Sequence, residues 1–424
     1  MAIENRPYQP TQNSSWKSAE AKFLFDIALG KMLQPEPRNP SDQVVPYLRA
    51  ANVQWSGVDL SDVAAMYASK GEIESCSIEQ GDLLVCEGGE VGRAAIYSGG
   101  LSDKAIIQNA LHRVRGKNGN STRYLSYVLR HIAWSGWFDV LCNKATIAHF
   151  TVDKFGELQV AYPEPQIQEV IANYLDSETA RLDMLISEKQ QLLKLLVEKR
   201  RALVASFVTQ GLNADAPRRD SGIPWLGEIP AHWQSSRIAW LFRERDERNQ
   251  PELPLLEVSI HAGVRIREFN QDRIEQTAED FNSYKVARQD DIAFNKMRMW
   301  QGAVGNVPCD GLVSPDYVVA EPVTPLCSEY FGLLFRTPAF SAESGSRSHG
   351  IVWDRLRLYW EEFRDISVPV PPLEEQRAIV KQIQIETQKM DALAAATERT
   401  IALLQERRSA LISTAVTGQL EVAS

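Results

Sequence analysis

An internal duplication constrains the fold of this chain more than any other feature of the sequence. The segment from Pro163 to Leu212 matches the segment from Pro371 to Leu420 without a gap, at a constant offset of 208 residues. Identical residues at this offset include Gln168 with Gln376, Glu178 with Glu386, Thr179 with Thr387, Asp183 with Asp391, Leu195 with Leu403 and Leu196 with Leu404. Such a match in one register indicates a duplicated structural unit.

Each copy of the repeat is predicted to form one long helix. A proline stands at the start, where helices tolerate it, and neither Pro nor Gly follows until Gly211 or Gly418. At 1.5 Å per residue such a helix is roughly 65–70 Å long. Apolar residues recur in alternating steps of four and three, which predicts a seam for an antiparallel coiled coil between the two helices. The predicted seam residues are Leu175, Leu182, Leu185, Leu192, Leu196 and Leu203, and in the second copy Ile383, Met390, Leu393, Leu404 and Leu411.

The region before each predicted helix has a different pattern of apolar and polar residues. Short apolar runs such as Asp82–Cys86 and Asp291–Phe294 alternate with Gly, Pro, Asn and Asp, which predicts short strands with a few helices. The predicted fold class is therefore α+β: two mixed α/β globules separated by two long helices, in a pseudo-twofold repeat. The predicted domains are a first globule at 1–160, a helix at 161–212, a linker at 213–221, a second globule at 222–367 and a helix at 368–420.

Composition limits the function classes that fit this chain. The formal net charge of −9 argues against a nucleic-acid binder, although DNA responds to the local field of one face and not to the sum. No apolar run is long enough to span a bilayer and no signal-peptide core begins the chain, so a cytoplasmic protein is expected. None of the five cysteines forms a CxxC pair, and no metal site is predicted.

The order of these segments resembles the specificity subunit of type I restriction–modification systems. The segments that carry the resemblance are Pro371–Arg377 with its long helix, Ala415–Leu420, their counterparts within 163–212, and Ile223–Trp233, which is similar to the opening of a target-recognition domain. The first copy departs slightly, with Glu164-Pro165 where the second has Pro372-Leu373. The resemblance covers nearly the whole chain.

The resemblance implies a division of labour between this chain and its partners. Each globule would be a target-recognition domain that reads one half of a split, asymmetric site in double-stranded DNA. The helices would set the spacing between the halves and dock two methyltransferase subunits, which motor–nuclease subunits join for restriction. S-adenosylmethionine, ATP and Mg would then bind the partner subunits, and no cofactor would bind this chain.

The sequence lacks the motifs of the enzymes that such a system contains. It has no GxxxxGK[ST] phosphate loop and no Asn/Asp-Pro-Pro-Tyr/Phe segment. Pro315-Asp316 could open a nuclease motif, but no lysine follows between Lys296 and Lys381. We therefore predict a non-catalytic, DNA-recognising subunit, and the alternative is a coiled-coil scaffold whose globules bind proteins.

The candidate DNA contacts are cations, an aromatic and an amide in predicted loops. Arg and Lys can pair with guanine edges or phosphates, and Gln with adenine. The candidates are Lys296, Arg298, Trp300, Gln301, Arg347 and His349 in the second globule, and Arg93 and Lys144 in the first. The clusters Lys199–Arg201 and Arg407-Arg408 are predicted either as a charged flank of the coiled coil or as a docking or phosphate-contact surface.

Overall fold

The chain divides into two compact units. The computed structural model describes residues 13, 15–101, 104–138, 149–267, 281–350 and 356–420. The first unit comprises Met1–Gln190 and Arg399–Ser424, and the second comprises Gln191–Glu398. This division cuts each long helix, so each unit contains one globule and parts of both helices. The predicted domain boundaries separate helices from globules instead, and they stay predictions.

Two helices of the described chain are far longer than the others, and they are the two copies of the repeat. The helices are α1 (Ala21–Leu24), α2 (Lys70–Cys76), α3 (Thr122–Trp134), α4 (Val152–Gly156), α5 (Pro165–Gln210), α6 (Ser328–Phe335), α7 (Pro338–Arg347), α8 (Trp360–Arg364) and α9 (Leu373–Val416). The predicted mixed fold with two long helices, α5 and α9, is confirmed.

The first unit contains a four-stranded antiparallel sheet in the order β2-β10-β7-β8 and a three-stranded sheet in the order β6-β3-β9. The strands are β1 (Lys17–Glu20), β2 (Phe25–Leu29), β3 (Gln43–Leu48), β4 (Val53–Gln54), β5 (Gly57–Val58), β6 (Ala64–Ala68), β7 (Leu83–Cys86), β8 (Ala94–Ile96), β9 (Ile106–Ile107), β10 (Leu111–Gly116) and β11 (Gln159–Tyr162). Every residue of β7 is buried, as its continuous apolar run requires. The hydroxyl of Ser121 accepts from the amide of Tyr124 and so begins α3, whose apolar face joins the core.

The second unit repeats this sheet with the order β15-β22-β19-β20, and its β14-β23 pair corresponds to β1-β11. The strands are β12 (Arg218–Asp220), β13 (Glu228–Pro230), β14 (Gln234–Arg237), β15 (Phe242–Arg245), β16 (Leu256–Ser259), β17 (Gly263–Ile266), β18 (Lys285–Ala287), β19 (Ile292–Asn295), β20 (Val304–Asn306), β21 (Gly311–Val313), β22 (Tyr317–Pro322) and β23 (Ser367–Val370). The predicted linker at 213–221 contains a short strand, β12, which pairs with β13.

Within the first unit the two long helices run antiparallel. Leu175 of α5 and Ile412 of α9 lie in one buried cluster. Farther along α5, the carboxylate of Asp183 pairs with the guanidinium of Arg408, which precedes Ile412, at 2.8 Å. The residue numbers of the contacts therefore rise along α5 while they fall along α9, as they must in an antiparallel pair.

The second unit contains the same helix pair with the two chain segments exchanged. Arg200 of α5 pairs with Asp391 of α9, and these residues are the repeat equivalents of Arg408 and Asp183. Val208 and Ile379 are buried together in this unit. The antiparallel packing predicted from the repeat is thus present in each unit, and Arg200 and Arg408 serve as ion-pair partners on the flank of the helices.

Burial varies along the predicted seam. Leu175, Leu182, Ile383 and Met390 are buried, and Leu192, Leu196, Leu203, Leu404 and Leu411 are half-buried. Leu185 and Leu393 are instead exposed, by 36% and 47%, and Ile186 is buried in the place of Leu185. The buried pairs Leu175 with Leu182 and Ile383 with Met390 keep the seven-residue spacing.

A buried glutamine at the start of each long helix fastens the helix to its globule. The side-chain oxygen of Gln168 accepts from the amide of Ser121 at 2.9 Å, and that of Gln376 accepts from the amide of Cys327 at 2.8 Å. Each glutamine also donates to a proline carbonyl just before its helix. The identity of these residues in the two copies therefore has a structural reason.

A buried tyrosine in each globule holds the last turn of a long helix. The hydroxyl of Tyr330 donates to the carbonyl of Val208 at 2.7 Å in the second unit. The hydroxyl of Tyr124 lies 3.3 Å from the equivalent carbonyl, that of Val416, in the first unit, and 2.9 Å from the carbonyl of Ala161. The carbonyls at a helix end lack partners within the helix, so these tyrosines satisfy groups that burial would otherwise leave unpaired.

A glycine in the left-handed region follows each long helix, and a tryptophan covers it. Gly211 has φ 76° and Gly418 has φ 72°, the conformation that ends many helices. A side chain at Gly211 would stand 3.2 Å from Trp233, and one at Gly418 would stand 3.1 Å from Trp16. In the first unit, the amide of Asn13 also donates to the carbonyl of Gly418 at 3.2 Å.

Candidate nucleic-acid interface

The same loop follows a central strand of the four-stranded sheet in both units. In the second unit this loop spans residues 296–301, between β19 and β20, and in the first it spans 87–91, between β7 and β8. The amide of Leu358 donates to the carbonyl of Lys296 at 3.0 Å, and the amide of Phe150 donates to that of Glu87 at 2.8 Å. We call these two segments the strand-end loops, because equivalent backbone hydrogen bonds hold both of them.

The strand-end loop of the second unit presents polar side chains to solvent. Arg298 and Gln301 are exposed, and the Arg298 guanidinium has no ion pair with any residue in the described ranges. Lys296 is half-buried, with its ammonium 5.8 Å from the centre of the Tyr359 ring. The indole of Trp300 donates to the carbonyl of Met297 at 3.1 Å, so this ring braces the loop. The four predicted residues of this segment therefore lie together.

The other two predicted residues of the second unit have partners inside the globule. The guanidinium of Arg347 lies 2.6 Å from the carboxylate of Glu343, one turn earlier on α7. Nε2 of His349 lies 3.1 Å from the carboxylate of Glu362. Both side chains keep substantial exposure, at 39% and 69%.

The strand-end loop of the first unit carries the opposite charge. It contains Glu87, at the position of Lys296, and Glu90, whereas the second loop contains Lys296 and Arg298. The guanidinium of Arg93 donates to the carboxylate of Glu90 and to the carbonyl of Ala50, both at 3.0 Å. Arg93 is thus held inside the globule, and Lys144 lies outside the described residues. The two units present unlike surfaces at equivalent places.

A buried aspartate stands at the start of the central strand in both units, and its role was not predicted. Asp82 pairs with Arg115 at 2.6 Å, and Asp291 pairs with Arg245 at 2.8 Å. Burial raises the pKa of Asp291, and the charge of Arg245 opposes that rise. The repeated Asp before an apolar run was visible in the sequence, but the arginine comes from β10 in one unit and from β15 in the other.

A buried histidine lies beneath the strand-end loop of the first unit. His112 has no exposed surface, and its Nε2 lies 2.7 Å from the carbonyl oxygen of Phe150. Because a carbonyl only accepts, Nε2 carries the proton. Nδ1 has no hydrogen-bond partner among the residues described, so a second proton there would find no acceptor. Burial accordingly lowers the pKa of His112 below its usual 6.5.

This histidine predicts a loss of stability in mild acid. The unfolded chain binds the proton more readily than the folded one, so the contribution of His112 is complete above pH 6.5 and is lost as the pH falls through the lowered folded pKa. The slope is at most about 1.4 kcal/mol per pH unit for one proton. Chemical unfolding of the first unit between pH 7.5 and pH 5 measures it.

The matched variants for this experiment are His112→Gln and His261→Gln. A glutamine at 112 can donate to Phe150 without titrating, so the pH dependence should decrease. It should not vanish, because burial also lowers the pKa of His131. His261 is exposed, and its replacement should leave the pH dependence unchanged. An unchanged slope in His112→Gln would contradict the assignment.

Among the described residues no three His, Cys, Asp or Glu side chains lie where they could hold a metal ion together. Of the helices in the same ranges, none combines the length and the apolar content needed to cross a membrane.

Comparisons with known proteins agree with one another. Residues 13–195 match the family model of the type I restriction modification DNA specificity domain. The MjaIX type I restriction enzyme specificity subunit of Methanocaldococcus jannaschii is 20% identical over 251 residues, which are 56% of this chain and 54% of that protein. The chain thus spans about half the length of this curated relative.

Solved structures share the fold across nearly the whole chain. One, from work on complex assembly and conformational transition of the type I R-M system, has a TM-score of 0.68 and 15% identity, with 98% of this chain and 100% of that chain covered. The HsdS subunit of Thermoanaerobacter tengcongensis has a TM-score of 0.58 and 16% identity, with 98% and 99% covered. At these identities the likeness establishes the fold.

Proposed function

Because residues 13–195 match the family model of the type I restriction modification DNA specificity domain, we propose that this chain is a specificity subunit that recognises a DNA site in two unlike halves, one through each unit. The observation that carries this proposal is the pair of strand-end loops. The same backbone arrangement presents Lys296 and Arg298 in one unit and Glu87 and Glu90 in the other. One scaffold with two different surfaces suits two different sequences, so the whole target should be asymmetric.

The residues proposed to touch DNA in the second unit are those of its strand-end loop. Arg298 is exposed and free to form the two hydrogen bonds that identify a guanine edge, and Gln301 can pair with adenine. Lys296 is placed to contact a phosphate and Trp300 to support the loop. Arg347 and His349 are exposed enough to join them. Arg93 and Lys144 in the first unit stay predictions.

Two methyltransferase subunits are proposed to dock on the long helices. Apolar side chains at repeat-equivalent positions are exposed: Leu185 and Leu393, and Leu195 and Leu403. A duplicated exposed apolar surface suits two copies of one partner. Motor–nuclease subunits would join the complex, and catalysis with S-adenosylmethionine, ATP and Mg would take place on the partners.

An exchange of globules tests the proposal. Replacing residues 1–160 with the first globule of another family member should change one half of the recognised site and leave the other half intact. Mapping methylated adenines in DNA exposed to the assembled complex gives both halves and their spacing. Replacing residues 222–367 is the matched control and should change the other half.

Two outcomes would contradict the proposal. A change in both halves after a single exchange would show that the globules do not act as separate readers. Equal binding of the complex to random duplexes in a gel shift would instead favour a scaffold whose globules bind proteins. Sensitivity to salt alone does not distinguish these cases, because any basic surface shows it.

A further inference from the structure

An open cleft of about 480 Å³ lies in the first unit, where the globule meets the long helices. Its walls come from the β4–β5 hairpin, β8, α3 and both long helices. The charged residues that line it are Arg123, Arg130, Asp176, Asp183 and Arg408. Three arginines face two aspartates, so the lining carries a net charge of +1.

Arg130 is the residue of this cleft whose charge is least compensated. It is only 8% exposed, and its guanidinium stands 5.4 Å from the Trp55 ring and 5.9 Å from the Trp134 ring. Nη2 donates to the carbonyl of Trp55, but Nε is buried without a hydrogen-bond partner, and no carboxylate of the described chain forms an ion pair with Arg130. A buried charge without a counter-charge is costly.

The two carboxylates of the cleft are already bound to other groups. Asp176 accepts from the guanidinium of Arg123 and, at 2.5 Å, from the hydroxyl of Tyr127. Asp183 accepts from Arg408, whose Nη2 lies 3.0 Å away. Burial lowers the pKa of Arg130, and the nearby charge of Arg408 lowers it further, in agreement with this shortage of negative charge.

The equivalent place in the second unit is balanced. There Arg336 corresponds to Arg130, and its guanidinium donates to two hairpin carbonyls, those of Ile260 and His261. Glu329 stands at the position of Arg123, at an offset of 206 residues in this part of the chain. The charged residues at these places in the second unit are two arginines and two carboxylates, and their charges sum to zero. They are Arg336, Arg200, Glu329 and Asp391. Among these cleft residues the positive excess occurs in the first unit, where Arg123 also pairs with Glu169 at 3.1 Å and Arg130 has no ion pair with a described carboxylate.

We propose that the cleft of the first unit is a binding site for one oxyanion, a carboxylate or phosphate group, held by Arg130 with support from Arg123 and Arg408. An oxyanion in the cleft would supply the negative charge that no described carboxylate pairs with Arg130. A small protruding group can reach a side chain as buried as Arg130, whereas the broad face of a duplex cannot. Two sources fit this chemistry: a free anion, or an acidic side chain of a bound partner protein.

Inorganic phosphate titrated into the full chain at constant ionic strength tests the site without any partner. We expect the melting temperature of the first unit to rise by about 2–4 °C in phosphate relative to chloride. Hydrogen exchange in 53–58 and 122–134 should slow in the same titration. Arg130→Gln should lose this response, and Arg336→Gln, the matched variant of the second unit, should keep it. Equal responses in the wild type and Arg130→Gln would overturn the proposal.

A surface variant keeps the test decisive if Arg130→Gln does not fold. Arg123→Glu introduces the residue that the second unit has at this position, and it changes a side chain that is already 34% exposed. It makes the net charge of the cleft −1, so the phosphate response should be lost. A full response in this variant would contradict an oxyanion site.

A second arm distinguishes the two sources and rests on the proposed function. If an acidic side chain of a methyltransferase subunit fills the cleft, the phosphate response should vanish in the complex, and Arg130→Gln should weaken partner binding by about tenfold or more. If the natural occupant is a free anion, the response should persist in the complex and partner affinity should not change. Either result supports the site, and failure of the first arm overturns it whether or not the partner binds.

Discussion

Trp233→Ala is expected to destabilise the second unit by about 3–5 kcal/mol, the range for truncating a large aromatic side chain in a core. Trp233 is 1% exposed and belongs to the main buried cluster of this unit. It covers Gly211 at the end of α5, so its loss would open a cavity beneath a helix terminus. For a unit of this size the melting temperature should fall by roughly 6–20 °C.

The measurement must report on each unit separately, because a chain with two units need not unfold in one step. Hydrogen exchange resolved by peptide gives that separation, and only peptides of the second unit should lose protection. Trp240 is 72% exposed, so Trp240→Ala should cost less than about 0.5 kcal/mol. Trp233→Phe should cost less than Trp233→Ala, because it keeps most of the apolar volume. Equal effects of the two alanine variants would refute the core role.

Arg298→Ala is expected to weaken specific DNA binding by about 1–3 kcal/mol and to relax the preference at one base pair. The side chain is exposed, so the variant should fold normally. Lys296→Ala should act differently if that residue contacts a phosphate. It should weaken binding to all sequences alike and reduce the slope of the salt dependence by about 1. Binding titrations of the assembled complex on a set of singly substituted sites measure both effects.

The control for this pair is Arg377→Ala, which removes an exposed positive charge from α9. It changes the net charge by the same amount but should leave the base preference unchanged. If Arg298→Ala and Arg377→Ala gave the same loss on every sequence, the strand-end loop would contribute charge only, and its part in base recognition would be rejected.

The long helices could be predicted from the repeat, because each copy has periodic apolar residues, and its helix contains neither Gly nor Pro after the first turn. Leu175 with Leu182 and Ile383 with Met390 keep the seven-residue spacing and are buried, whereas Leu185 and Leu393, on the edge of the same pattern, are exposed. Which leucine is buried depends on the packing of the two helices, and the period within one helix does not determine it.

For the candidate DNA contacts, the sequence pattern could indicate which side chains are exposed. Arg298 and Gln301 stood in a polar loop after an apolar run, and the structure places them in solvent. The charge of Arg130 could not be interpreted from its surroundings in sequence, because Trp55 and Asp183, which decide its environment, are distant along the chain. Buried polar groups acquire their meaning from tertiary contacts, and a single sequence does not contain those contacts.

The contact between Asn13 and Gly418 makes this chain a candidate for circular permutation. In the second unit the chain continues from Gly211 into the segment that ends at Trp233, whereas in the first unit the equivalent place brings together Asn13 and Gly418, which are 405 residues apart. A short peptide joining them would close a ring, and the exposed stretch 213–215 could then be opened to make new termini. Such a permuted chain would begin with the second globule and should keep the contacts described above.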